Sequence, residues 1–171
     1  MNFCIEIARR AVQAYLEERR IIPVPPDAPP EMLDKMAGVF VSIEKKGELR
    51  GCIGTYAPLK SNIVEEVIDN AIAAASRDSR FDPVEKEELP SLDFTVYVLG
   101  LPEPVENFRD LDPQKYGVLV KAGGKTGLLL PGLEGIDTSE KQISIACQKA
   151  DIDPTLEDVK VYKFTADIYR E

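Results

Sequence analysis

The alternation of apolar and polar side chains divides the chain into short helices and strands. Apolar residues spaced three and four apart predict an amphipathic helix from the N-terminus to about Arg20, and a helical turn is expected over residues 32–36 after a proline-rich stretch. Asn62 and Asp137 each precede a glutamate by three residues, a pattern typical of a capping box. We therefore expect two further helices, beginning near these residues.

Strands are indicated by β-branched and aromatic residues that alternate with polar ones between turn residues. We predict them over residues 39–43, 49–56, 92–100, 116–121, 126–130 and 161–169. The first two and the fourth and fifth form hairpins about short turns that contain glycine. Helices mixed with hairpins favour an α+β fold, a mixed and largely antiparallel sheet with flanking helices, over a doubly wound sheet.

Length and charge narrow the class of protein. The 171 residues suit a single domain, and a net charge of −9 disfavours nucleic acid and anionic lipid surfaces as partners. No apolar run approaches the roughly 20 residues of a membrane span, and the N-terminus does not resemble a signal peptide. Three widely spaced cysteines fit thiols in a reducing compartment better than disulfides, so we expect a cytoplasmic protein.

The chain contains no histidine. This removes the commonest general base at neutral pH, every Ser-His or Cys-His pair, and most zinc and non-haem iron sites. The cysteines also lack the spacing of an iron–sulfur motif. We therefore expect neither a metal nor another cofactor.

Residues 49–55, with the sequence LRGCIGT, carry the clearest candidate chemistry. Strand periodicity places Arg50 and Cys52 on one face, where a guanidinium favours the thiolate and the neighbouring glycines leave room for a ligand. The alternative is a cysteine that fills a small apolar gap in the strand. Cys4 and Cys147 lie on predicted helix faces and read as core residues.

The same segment resembles the LRGCIG signature of the AMMECR family, whose prokaryotic members include protein A of the AmmeMemoRadiSam system. Residues 73–81, AAASRDSRF, are similar to the alanine-rich helix of the family that ends in D-x-R-F, and residues 127–131, GLLLP, also agree. The resemblance spans nearly the whole chain in the correct order. It implies a single AMMECR-type domain over residues 1–171 with a small inserted lobe, and two unequal lobes around a cleft near the LRGCIGT strand.

The site that this resemblance implies contains Arg50, Cys52, Thr55, Asp78 and Arg80. Two arginines suit a small anionic ligand, because guanidinium groups bind planar anions through two hydrogen bonds. Asp78 and Arg80 could aim at one ligand or form a local ion pair that fixes the exit from the preceding helix. In prokaryotes, genes of the family occur together with those of a radical S-adenosylmethionine protein and a Memo-type protein, and the resemblance therefore implies these two as partners.

Several positions depart from the family pattern. Tyr97 stands where a serine is common, and the tryptophan often found near residues 135–137 is absent. Tyr116 stands where the family usually has a histidine, and Gly132 stands where a glutamine is typical. A family activity that needs either side chain would be lost in this chain.

Three functions stay open at this point. The chain is a ligand-binding or protein-interaction accessory of a radical S-adenosylmethionine/Memo-linked system, a cysteine-dependent enzyme with Cys52 as its nucleophile, or a structural partner-binding protein without a small ligand. The missing histidine counts against the enzyme, since proton transfer would fall to Asp78, Tyr56 or water.

Overall fold

The computed structural model describes residues 2–171 and combines helices with two antiparallel sheets. The α-helices are α1 (Phe3–Glu18), α2 (Pro30–Leu33), α3 (Ile63–Ser76) and α4 (Ser139–Lys149), and 3-10 helices span Lys86–Ser91 and Phe108–Asp110. The strands are β1 (Val39–Lys45), β2 (Glu48–Thr55), β3 (Leu92–Leu99), β4 (Glu103–Pro104), β5 (Gly117–Ala122), β6 (Lys125–Leu129), β7 (Lys160–Phe164) and β8 (Ala166–Arg170).

The chain divides into two compact units. The first contains the residues up to Leu99 together with Asp167–Glu171, and the second contains Gly100–Ala166. Each unit has its own sheet and its own apolar core.

In the first unit, a four-stranded sheet has the strand order β2-β1-β3-β8, and α1 and α3 pack on one of its faces. Val39, Val41 and Ile43 of β1 point to this face and are fully buried. Gly51 of β2 also faces these helices, and α3 packs so closely there that a Cβ would collide with the carbonyl of Ala74. The side chains at alternate positions therefore lie on the opposite face, which we call the polar face.

In the second unit, the sheet has the order β4-β7-β5-β6, and α4 packs against β5 and β6. Val118, Val120 and Val161 form its core together with Ala146 and Cys147 of α4. None of the helices in the part of the chain that the structure describes is long and apolar enough to cross a membrane.

The predicted α+β class with antiparallel pairing and flanking helices is confirmed. The prediction of one final strand over residues 161–169 is wrong, because the chain changes sheets at Thr165, so that β7 lies in one sheet and β8 in the other. The predicted cap at Asp137 is also wrong, since Thr138 accepts the hydrogen bond from the N–H of Lys141 and caps α4. Asn62 does cap α3, as predicted.

Candidate functional site

Asp78 and Arg80, which follow α3, bind the outer edge of β2. This strand pairs only with β1 within its sheet, so that the backbone groups of Cys52 point away from the sheet. The Cys52 N–H donates to Oδ2 of Asp78 at 2.9 Å, and Nη2 of Arg80 donates to the Cys52 carbonyl at 3.3 Å. The two side chains thus replace a neighbouring strand at one residue.

The Asp78–Arg80 pair is itself closely bonded. Nε and Nη2 of Arg80 donate to the two carboxylate oxygens of Asp78 at 2.9 and 2.7 Å. These bonds are the main reason that the pKa of Asp78 is lowered to about 2. Asp78 is buried and ionised near neutral pH, so that it serves as an acceptor and cannot act as a general acid there.

Arg50 is bound to a different carboxylate. Its Nε and Nη2 donate to Glu88 at 3.1 and 2.9 Å, and Nη1 donates to the Asp82 carbonyl at 2.7 Å. The pKa of Arg80 is raised first by its hydrogen bond to Asp78 and also by the charge of Cys52, whereas that of Arg50 is raised first by Glu88. Contrary to expectation, the guanidinium of Arg50 is thus held by Glu88, and the pKa on which the charge of Cys52 acts is that of Arg80.

Thr55 takes part in a buried network at the end of β2. Its hydroxyl donates to Oε1 of Glu66 at 2.6 Å, and the N–H groups of Leu59 and Lys60 donate to Oε2 at 2.9 and 2.8 Å. Glu66 lies in α3 and is only 1% exposed. Glu66 thus ties both Thr55 and the loop between β2 and α3 to the helix.

The polar face carries a line of side chains across the strands. Cys52 of β2 lies opposite Ser42 of β1, and Ser42 lies opposite Thr95 of β3. Directly opposed residues in antiparallel strands have their Cβ atoms about 4.5–5.5 Å apart on one face. A thiol and two hydroxyl groups are thereby placed side by side.

Arg170 of β8 continues this line. The Glu171 N–H donates to the Phe94 carbonyl, and the Gly100 N–H donates to the Thr165 carbonyl. The six steps from Phe94 to Gly100 therefore match the six steps from Glu171 back to Thr165 in the antiparallel sense, which places Arg170 opposite Thr95. We call the four residues of this line, Cys52, Ser42, Thr95 and Arg170, the polar row.

Tyr97 lies beside the polar row, two positions after Thr95 on the same face of β3. Burial raises the pKa of the Tyr97 phenol, while the positive charge of Arg170 opposes this. The charge of Cys52 also acts on Tyr97. The phenol thus lies within electrostatic reach of both ends of the row.

The residues of the row differ in exposure. Ser42 is buried, Cys52 and Thr95 are half-buried, and Arg170 is exposed. In contrast, Cys4 and Cys147 are buried, and burial raises the pKa of the Cys4 thiol to about 11 and also raises that of Cys147. Cys52 is therefore the thiol best placed to meet a ligand.

Sequence reasoning missed three residues of the row. Ser42, Thr95 and Arg170 belong to strands far apart in the chain, and only the strand order brings them together. Ser42 gave a signal, since it is the one hydroxyl residue in an otherwise apolar predicted strand over residues 39–43. Among residues 2–171, no three His, Cys, Asp or Glu side chains are grouped so that they could hold a metal ion.

Comparison with known proteins identifies the wider group. The family model AMMECR1 matches residues 5–169. A protein of Thermotoga maritima is 45% identical over 97% of this chain and 96% of its own length. A protein of Clostridium acetobutylicum is 48% identical over 98% of this chain, which spans only 36% of that longer protein.

A solved structure has the same fold. The crystal structure of an uncharacterised protein of Pyrococcus horikoshii superposes with a TM-score of 0.92 at 39% sequence identity, and the match covers 99% of this chain and 90% of that one. Because the family model and the relatives cover almost all of the sequence that builds β2, α3 and the polar row, the chain belongs to the AMMECR1 family.

Proposed function

We propose that the chain binds a small anionic molecule along the polar row and acts as an accessory protein. The observation that carries the proposal is the register that sets a thiol, two hydroxyls and a guanidinium side by side across four strands. Binding sites commonly combine a few convergent polar groups in this way. A rigid sheet also holds such groups in place better than a loop does.

The fixed backbone of Cys52 supports this proposal. Asp78 and Arg80 bind both of its backbone polar groups, so that the thiol projects from a strand that cannot shift locally. In this view Asp78 and Arg80 are positioning residues, and Thr55 and Arg50 hold the strand at either side. The motif residues thus prepare the site, and the polar row contacts the ligand.

The partners that we propose rest on the family resemblance alone. They are a radical S-adenosylmethionine protein and a Memo-type protein, for which this chain would present or deliver the bound molecule. The absence of histidine from the sequence agrees with an accessory role, because binding needs no general base.

The test is untargeted ligand capture. Purified wild-type protein is compared by mass spectrometry of the released small molecules with Thr95→Val, which removes one hydroxyl of the row and keeps the β-branched shape. Thr126→Val is the matched control, since Thr126 is an exposed strand threonine in β6. We expect a molecule retained by wild type and by Thr126→Val to be depleted about fivefold or more in Thr95→Val, the size of one lost hydrogen bond. Equal retention in all three proteins would contradict the proposal.

A cysteine-dependent enzyme is the second candidate. The observation in its favour is that the guanidinium of Arg80 donates to the Cys52 carbonyl, and that the charge of Cys52 helps to raise the pKa of Arg80, so that this cation favours the thiolate. Asp78 cannot supply a proton near neutral pH, which leaves Tyr56, Tyr97 or water for that role. A covalent adduct on the Cys52 peptide in the same mass spectra would favour this function over simple binding.

A further inference from the structure

Arg170 differs from Arg50 and Arg80 in the groups that its guanidinium contacts. Arg50 and Arg80 each form ion pairs with an internal carboxylate, Glu88 and Asp78 respectively. No carboxylate within residues 2–171 lies at ion-pair distance from Arg170, whose neighbour on the polar face is the phenol of Tyr97. Its positive charge is therefore available to an anion from outside the chain.

The surroundings of Arg170 supply further donors. Thr95 lies opposite it in the register, and the hydroxyl of Thr95 and the phenol of Tyr97 can each donate one hydrogen bond. Arg170 is exposed and Thr95 is half-buried, so that a ligand can approach this end of the row from solvent. A guanidinium with two adjacent hydroxyls suits a group with two acceptor oxygens.

Two carboxylates on the polar face limit which kind of anion can bind beside Arg170. Glu44 and Asp93 lie opposite each other in the adjacent row of the same face. These two carboxylates disfavour a phosphate, which carries about 1.5–2 negative charges at neutral pH, more than they disfavour a carboxylate with one. The one positive charge of the Arg170 guanidinium balances the one negative charge of a carboxylate.

We infer that Arg170 recognises a carboxylate of the ligand, and that the ligand extends from this end of the polar row toward Cys52. This inference rests on the proposed function, because it concerns the same row. Three steps between neighbouring strands separate the two ends, which is about 14 Å at the usual strand spacing. The ligand is therefore an elongated monocarboxylate whose other end lies near the thiol.

The test uses two thiol reagents that differ only at one end. 6-Maleimidohexanoic acid carries a carboxylate on a tether of five methylene groups, and its primary amide is neutral. In each case the Cys52 sulfur adds to the maleimide double bond, and the adjacent carbon takes a proton from water. Labelling rates at Cys52 are read by peptide mass spectrometry on the native protein, with CD spectra to verify that each variant is folded.

We expect the ratio of the acid's rate to the amide's rate to fall about fivefold or more in Arg170→Gln, the loss of one charge-assisted contact. Arg109→Gln is the control, since Arg109 likewise makes no ion pair within residues 2–171, and its ratio should equal that of wild type. Arg170→Lys should retain part of the preference, because it keeps the charge without the two-pronged geometry.

The outcomes separate this inference from the proposed function. If both reagents label Cys52 and the ratio is unchanged in Arg170→Gln and Arg170→Lys, the role of Arg170 is overturned while the thiol end of the site stands. If neither reagent labels Cys52 in the folded protein, the polar row is closed to ligands, and both the site and the inference fail.

Discussion

Three arginines on or beside the polar face differ in what their guanidinium groups bind. Arg50 and Arg80 belong to the two segments that resemble the family motifs, yet both form ion pairs with carboxylates of this chain. Arg170 is far from the motif in sequence and forms no ion pair within residues 2–171. A motif identifies residues that a family shares, but it does not separate those that build a site from those that contact its ligand.

The low pKa of Asp78 leads to a prediction about stability. A carboxyl group whose pKa is about 2 in the folded chain, against an ordinary value of 3.8, adds stability above pH 4 and loses it as the pH falls toward 2. We expect Asp78→Asn to be less stable than wild type by about 1–2 kcal/mol at pH 5, a value reduced for the exposure of Arg80, and the difference to shrink toward pH 2.

Urea unfolding at several pH values between 2 and 5 measures this difference. Asp34→Asn is the control, because Asp34 is exposed and forms no ion pair in the described part of the chain. Glu88, whose pKa is also lowered to about 2, titrates in both proteins and cancels in the comparison. A stability difference for Asp78→Asn that stays constant across this range would show that the ion pair with Arg80 contributes nothing.

At the scale of elements, the hydrophobic pattern predicted most of what the structure contains. The hairpin of β1 and β2 and the cap of α3 followed from local signals, because turn residues and capping side chains act within a few positions. The break between β7 and β8 did not, since both halves alternate apolar and polar residues without interruption. The change of sheet at Thr165 is decided by pairing with distant strands, which a local pattern does not contain.

The same limit applies to the candidate site. Cys52 was predicted from its strand, whereas the neighbours of its thiol depend on the order β2-β1-β3-β8 and on the register within it. Arg50 and Cys52 are two residues apart, so strand periodicity predicts that they share a face. The guanidinium of Arg50 nevertheless binds Glu88, a contact that periodicity cannot reveal. Electrostatic partners of this kind come from tertiary structure.

The contact between β2 and α3 depends on Gly51. We expect Gly51→Ala to lower the free energy of unfolding by about 1–3 kcal/mol, because the added methyl group meets the Ala74 carbonyl and α3 must move away. Gly124→Ala is the control, since a Cβ there meets nothing and its φ lies outside the left-handed region. Thermal or urea unfolding measures both variants, and equal stability of the two would mean that β2 and α3 pack less closely than described.

On the scale of the whole molecule, the sequence established the fold class and the family, and the structure supplied the arrangement within the first unit. The AMMECR1 family model covers residues 5–169, which include every residue of the motif and nearly all of both sheets. The polar row draws on four strands, from β1 near the start of the first unit to β8 at its end. The proposed site therefore consists of residues that only the folded chain brings together.

The most direct test of the polar row is the footprint of an adduct at Cys52 in the ¹H–¹⁵N NMR spectrum. The ¹⁵N-labelled protein is modified at Cys52 with 6-maleimidohexanoic acid. Its amide chemical shifts are compared with those of the unmodified chain and of the N-methylmaleimide adduct. We expect the acid, but not the small neutral reagent, to shift the amides of Thr95 and Arg170 as well as those next to Cys52. Shifts confined to β2 and its neighbour Ser42 with both reagents would contradict a ligand site that runs along the row.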